Sequence, residues 1–134
     1  MILQKNADFP EEIQEYGCGL MSVIWHAARL EAIKIDCARN IIDIYNSAIA
    51  HDAIRDDCYV QDWEGLFKVC SLDVEYTGRH ETPQRDCADD EIEILRYPGH
   101  FVAGDGNGHT TYDPWGVSNA AQKRMRSKRV FKLV

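Results

Sequence analysis

Between two apolar runs the chain carries Asp105-Gly106-Asn107-Gly108. Glycine and asparagine accept the positive φ angles that tight hairpin turns need. This segment therefore predicts that the stretches on either side run antiparallel, side by side. A loop symmetric about Gly106 and Asn107 makes opposed residue numbers sum to 213. Ala103 then faces Thr110, Val102 faces Thr111 and His100 faces Asp113. Opposed residues on one face hold their Cβ atoms roughly 4.5–5.5 Å apart. An Asp carboxylate there can accept from one imidazole nitrogen and leave the other free to take a proton. A three-residue loop or a bulge would shift this register. The plainer reading is a surface hairpin with an ordinary His-Asp pair.

A thiol with its own local signal lies far upstream, in Tyr16-Gly17-Cys18-Gly19-Leu20-Met21-Ser22-Val23. Leu20, Met21, Val23, Ile24, Ala27, Ala28 and Leu30 recur at helical spacing, which predicts a helix over residues 18–31. Cys18 then sits in its first turn, where free N–H groups and the helix dipole favour a thiolate and lower its pKa. Gly17 and Gly19 leave the sulfur unobstructed. The competing reading is a buried cysteine that only packs. A thiol at a helix start, with a His and a carboxylate brought together elsewhere, is the composition of a catalytic triad.

Gly17-Cys18-Gly19 before a helix, Gly99-His100-Phe101-Val102 on a strand and Tyr112-Asp113-Pro114-Trp115-Gly116 after the hairpin occur in that order. In this the chain resembles small papain-like cysteine peptidases, especially the branch of the bacteriocin-leader (double-glycine) peptidases and their stand-alone relatives. The resemblance spans residues 3–116. It implies Cys18 as nucleophile, His100 as general base and acid, Asp113 as the orienting group, and a bacterial or phage setting. It also implies a Gln upstream of the Cys as oxyanion donor. Gln4 follows Ile2-Leu3 as in the family and is favoured; Gln14, four residues before Cys18, is the alternative. The Cys18 N–H would be the second donor. Losing one such side-chain donor costs on the order of 3 kcal/mol in comparable hydrolases.

The 134 residues are those of one domain spanning 1–134. A net charge of −7 argues against nucleic acid as a partner, because such modules present a basic face. The basic run Lys123-Arg124-Met125-Arg126-Ser127-Lys128-Arg129 reads as a solvated helix end or an edge strand. No apolar run is long enough to span a membrane, and the N-terminus lacks a signal-peptide core. The five cysteines Cys18, Cys37, Cys58, Cys70 and Cys87 are an odd set, read as reduced thiols in a cytoplasmic protein. No Cys-x-x-Cys or His-x₃-His spacing fits zinc. The expected chemistry needs no metal or organic cofactor.

The remaining pattern predicts helices first and strands afterwards. Asp36 is the expected cap of a helix over residues 37–50, and Asp62 of one over residues 63–69. Leu72, Val74 and Tyr76 alternate as a strand, residues 78–90 read as a loop, and Ile92, Ile94 and Leu95 open the next strand. Val130, Phe131, Leu133 and Val134 form a last strand. The class is α+β, the papain-like layout in miniature, with N-terminal helices packed on a C-terminal antiparallel sheet. His26 lies about 12 Å along the helix from Cys18 and reads as structural. His51 and His80 read as solvent-facing, and His109 as a residue of the hairpin tip. Trp25 and Trp63 read as core, and Trp115 as a cover over the His-Asp pair or as plain packing. The Gly-rich turn has no helix after it, which excludes a phosphate loop.

The expected function is hydrolysis of a peptide or isopeptide amide through a thioester, with a peptide or protein as partner. Two alternatives stay open. The same triad could serve a cell-wall amide hydrolase or an acyl transferase, or the shell could bind a peptide without cutting it. Oligomeric state is not legible.

Overall fold

The computed structural model describes residues 2–81, 86–117 and 124–134. Among the described residues four helices come first: α1 (Glu11–Tyr16), α2 (Cys18–Arg29), α3 (Ala38–Ala50) and α4 (Trp63–Val69). Five strands follow: β1 (Val74–Glu81), β2 (Glu91–Tyr97), β3 (His100–Gly104), β4 (Thr110–Tyr112) and β5 (Ser127–Leu133). The strands form one sheet in the order β1-β5-β2-β3-β4, antiparallel at every pairing. The class is α+β, as the patterning predicts.

Helix α2 forms the centre of the core. Leu20, Met21, Val23, Ile24 and Ala27 are all fully buried, and burying each large aliphatic chain stabilises by about 1.5–3 kcal/mol. The helix starts where the sequence predicts, but a short helix that the periodicity did not reveal leads into it. Pro10 precedes α1, and Glu11 and Glu12 occupy its first turn, where acidic groups suit the dipole. Gly17 joins the two helices. Its N–H donates to the Ile13 carbonyl at 2.9 Å, and its own carbonyl accepts from Met21 at 2.8 Å. A Cβ at Gly17 would meet the Ile13 carbonyl oxygen at 2.5 Å, so only glycine fits this junction. Cys18 therefore opens α2.

Two caps differ in outcome. Asp62 caps α4 as expected, its carboxylate accepting from the Gly65 N–H at 3.0 Å. Cys37, not Asp36, caps α3. Asn40 Oδ1 reaches back to accept from the N–H groups of Cys37 (3.1 Å) and Asp36 (2.8 Å), and this fixes the helix start one residue later.

Strand β1 runs through Glu81, so the expected loop over residues 78–90 begins later; its residues 82–85 lie outside the described residues. The last strand forms as expected, but it lies between β1 and β2. From Ser127 onward the basic run is thus part of a central strand, neither a helix end nor an edge strand, while Lys123 lies outside the described residues. Lys128 is fully buried, with its ammonium 2.8 Å from Glu93, which is what lets a charged residue enter the middle of a sheet. The main core fills the space between helices and sheet. A second, smaller cluster of Leu95, Tyr97 and Val102, with Met125 against it, lies apart from it.

The hairpin closes on three residues, and the 213 register is not the observed one. The Asp105 N–H donates to the His109 carbonyl at 2.9 Å. Its carboxylate accepts from the N–H groups of Asn107 (2.8 Å) and His109 (3.2 Å). Gly106 and Gly108 both take positive φ, 96° and 83°. Gly104 then pairs with Thr110, a bulge intervenes, and Ala103 pairs with Tyr112. The added loop residue and the bulge together displace β4 by two residues relative to the symmetric turn. Extending that register puts Trp115, not Asp113, across from His100.

Candidate active site

Cys18 meets the sheet at β3. Its Sγ accepts from the Phe101 backbone N–H at 3.4 Å, which sets the thiol beside the residue that follows His100. Gly19 makes the approach possible. A Cβ there would meet Trp63 Cη2 and Val60 Cγ2 at 3.3 Å and Phe101 Cδ2 at 3.7 Å. The thiol opens on a cleft of about 340 Å³ lined by Tyr16, Cys58, Tyr59, Trp63, Phe101 and Arg129, among others.

His100 and Asp113 are joined despite the displaced register. His100 Nε2 lies 2.7 Å from Asp113 Oδ1, and both side chains are buried. The turn after β4 brings this about. The Gly116 N–H donates to the Asp113 carbonyl at 2.8 Å, and the Trp115 N–H donates to Asp113 Oδ1 at 2.9 Å. Gly116 takes φ 84°, which a residue with a side chain rarely adopts. The turn folds the Asp113 carboxylate back and lays the Trp115 ring on His100, with centroids 3.8 Å apart and planes 20° apart. Trp115 is thus a cover over the pair. A carboxylate only accepts, so Nε2 carries the hydrogen and Nδ1 presents its lone pair. Nδ1 is buried and has no hydrogen-bond partner; no hydrogen bond joins it to Cys18.

Of the two glutamines, Gln4 is fully buried and its N–H donates to the Pro114 carbonyl at 2.9 Å, next to Asp113. Its Nε2 donates to the Gln14 carbonyl at 3.0 Å, and its Oε1 is buried without a partner. The Gln14 amide turns away to the Phe9 carbonyl at 2.8 Å.

The electrostatics differ from the expectation of a depressed thiol pKa. Burial raises the Cys18 pKa, and the N–H groups of Phe101, Gly19 and Cys18 itself pull it down only in part. Burial lowers the His100 pKa, opposed by the hydrogen bond and charge of Asp113. Both shifts favour the uncharged forms, the thiol and the imidazole.

The other histidines take no part. His26 is buried with Nε2 2.7 Å from the Glu93 carbonyl, and burial pushes its pKa down to about 4, a structural role as expected. His51 and His109 are exposed, while His80 is half-buried rather than solvent-facing. Among the described residues, no three His, Cys, Asp or Glu side chains gather as a metal site.

Sequence reasoning missed three features here. The Phe101 N–H that holds the thiol is backbone and carries no residue signal. The buried Glu93–Lys128 pair was hidden inside a basic run, although a lone Glu between Ile92 and Ile94 hints at it. Arg129, in the run expected as a solvated helix end or an edge strand, lies over the Trp63 and Phe101 rings.

Fold and site together define an α+β protein whose helix-start thiol abuts a strand bearing a buried His-Asp pair. The chain belongs to the family described as protein of unknown function, DUF261, which matches residues 1–133. No curated protein and no solved structure matches it.

Proposed function

We propose that the protein is a papain-like thiol hydrolase that cleaves a peptide or isopeptide amide through Cys18, His100 and Asp113. One observation carries this reading. Cys18 Sγ touches the N–H of the residue that follows a histidine whose Nε2 is held by a carboxylate and whose Nδ1 is buried with its lone pair unused. A buried acceptor without a donor costs free energy, about 1–3 kcal/mol, and a core that packs for stability alone would fill it.

In the proposed reaction the Cys18 proton moves to His100 Nδ1 as Sγ adds to the carbonyl carbon. The oxyanion takes hydrogen bonds from the Cys18 N–H and Gln4 Nε2. The imidazolium returns its proton to the leaving nitrogen as the C–N bond breaks, which leaves a thioester. Water then adds as His100 takes its proton, and the C–S bond breaks to regenerate the thiol. Asp113 and the Trp115 cover keep one tautomer facing the sulfur throughout. The same steps with an amine in place of water make an acyl transferase, and the same triad serves a cell-wall amide hydrolase.

One observation favours a non-catalytic peptide-binding shell. Burial disfavours the charged form of both Cys18 and His100. p-Nitrophenyl acetate separates the readings. A hydrolase acetylates at Cys18, detected by mass spectrometry of its peptide, and then clears the acetyl group. His100→Ala stalls the clearance. A Cys18 that is never acetylated, or that holds its acetyl group as long as exposed Cys37, removes the hydrolase reading.

A further inference from the structure

The cleft beside Cys18 holds an unspent cation. Arg129 Cζ lies 5.4 Å over the Trp63 ring and 5.1 Å over the Phe101 ring, and Phe101 is the residue whose N–H touches Cys18 Sγ. Two rings that meet edge-on at 73° hold the guanidinium in position. Its Nη1 is buried and has no hydrogen-bond partner. Among the described residues no carboxylate lies within ion-pair distance of it. Glu15, Arg55 and Asp57 are the other charged residues that line the cleft. Arg55 pairs with Asp57 at 3.3 Å and stacks on Tyr59, and Arg79 pairs with Glu81 at 3.1 Å. Arg129 pairs with Arg79 across the β1–β5 register, and Arg96 adds a further positive charge nearby. In a chain of net charge −7 this gathers three arginines, Arg79, Arg96 and Arg129, on the strands next to the cleft.

We infer that Arg129 seats a carboxylate of the substrate next to Cys18, so that the preferred peptide carries an acidic group beside the scissile amide. A guanidinium with a desolvated, unpartnered N–H is built to take an anion through charge-assisted hydrogen bonds. The Trp63 and Phe101 rings give the adjoining chain an apolar floor. The carboxylate comes from an Asp or Glu side chain or from a peptide C-terminus. The occupant's being a substrate rests on the hydrolase reading; the anion site itself does not.

The test compares Cys18 alkylation by iodoacetate, which carries a carboxylate, and by neutral iodoacetamide. The expected iodoacetate-to-iodoacetamide rate ratio is about tenfold lower in Arg129→Gln than in the wild type, and largely kept in Arg129→Lys. A ratio unchanged by Arg129→Gln overturns the inference. Should that variant not fold, the wild type decides through protection of Cys18 from iodoacetamide. N-acetylglutamate α-amide offers only a side-chain carboxylate, and N-acetylglutamine only an α-carboxylate. Protection by one or both supports the inference and identifies the source, whereas equal protection by neutral N-acetylglutamine α-amide overturns it. The hydrolase reading fails separately, through an iodoacetamide rate indifferent to His100→Ala.

Discussion

Two buried carboxylates sit near opposite ends of the β2–β3 pairing, and they are treated very differently. Glu93, opposite Gly104, is fully saturated. One oxygen accepts from the N–H groups of Gly106 (3.0 Å) and Gly108 (2.9 Å). The other accepts from Lys128 Nζ (2.8 Å) and from the Cys87 thiol (3.4 Å). Asp113, at the other end, holds His100, and around it the polar valences are incomplete. His100 Nδ1, Gln4 Oε1 and Trp115 Nε1 are all buried without partners. Saturation locks the hairpin tip, whereas unmet valences gather at the other end. The contrast separates a fully paired carboxylate from one set among unpaired polar atoms, although both are buried and both involve a β-strand.

Substitutions can break this contrast. The largest effect is expected from Asp113→Asn. Without the carboxylate the imidazole loses its fixed tautomer, and acetyl-Cys18 clearance should fall on the order of 10³-fold or more. Burst kinetics with p-nitrophenyl acetate measure this, and unchanged turnover would return Asp113 to a packing role. Next comes Glu93→Ala, which leaves the Lys128 ammonium buried and two glycine N–H donors unpaired. A loss of about 3–5 kcal/mol in urea unfolding is expected. Replacing both partners, as Glu93→Leu with Lys128→Met, should recover much of it.

A third effect comes from acid. His26 titrates at about 4 in the folded protein against 6.5 for the free side chain. The unfolded chain therefore binds the proton first as pH falls. Stability is full above pH 6.5, declines between 6.5 and about 4, and is flat below that for this group. The total is roughly 3 kcal/mol, readable as unfolding midpoints against pH that flatten in a His26→Gln variant. Gly104→Ala follows at about 1–3 kcal/mol, because its new methyl group would run into the Glu93 carboxylate. Trp115→Leu is the smallest, about 0.5–1.5 kcal/mol of lost stacking on His100. Its diagnostic sign is faster proton exchange at the imidazole by NMR.

The helical half of the fold was legible because its signals are local. The apolar spacing of Leu20 to Leu30 sits within about three turns and the Asp62 cap within one. The hairpin turn was legible too, but its register was not. Gly108 adds a loop residue and a bulge follows, and neither is fixed by residue type. Asp113 still reaches His100 because the Asp113-Pro114-Trp115-Gly116 turn compensates, a device visible only in three dimensions. The placement of β5 between β1 and β2 defeated the reading of the basic run, since Lys128 gains its partner from a strand 35 residues earlier. The pKa of Cys18 was misjudged for a related reason: the helix terminus is local and visible, whereas desolvation by the distant strand is not.

The most direct measurement is the rate of Cys18 alkylation by iodoacetamide against pH, in the wild type and in His100→Ala, with exposed Cys37 as internal standard. Burial alone would make Cys18 slower than Cys37 at neutral pH, because it raises the thiol pKa. A proton-accepting His100 reverses that order. Cys18 faster than Cys37 at neutral pH, and slowed about tenfold or more in His100→Ala, is the result expected of a working thiol–imidazole pair. A Cys18 slower than Cys37 and indifferent to His100→Ala would contradict it.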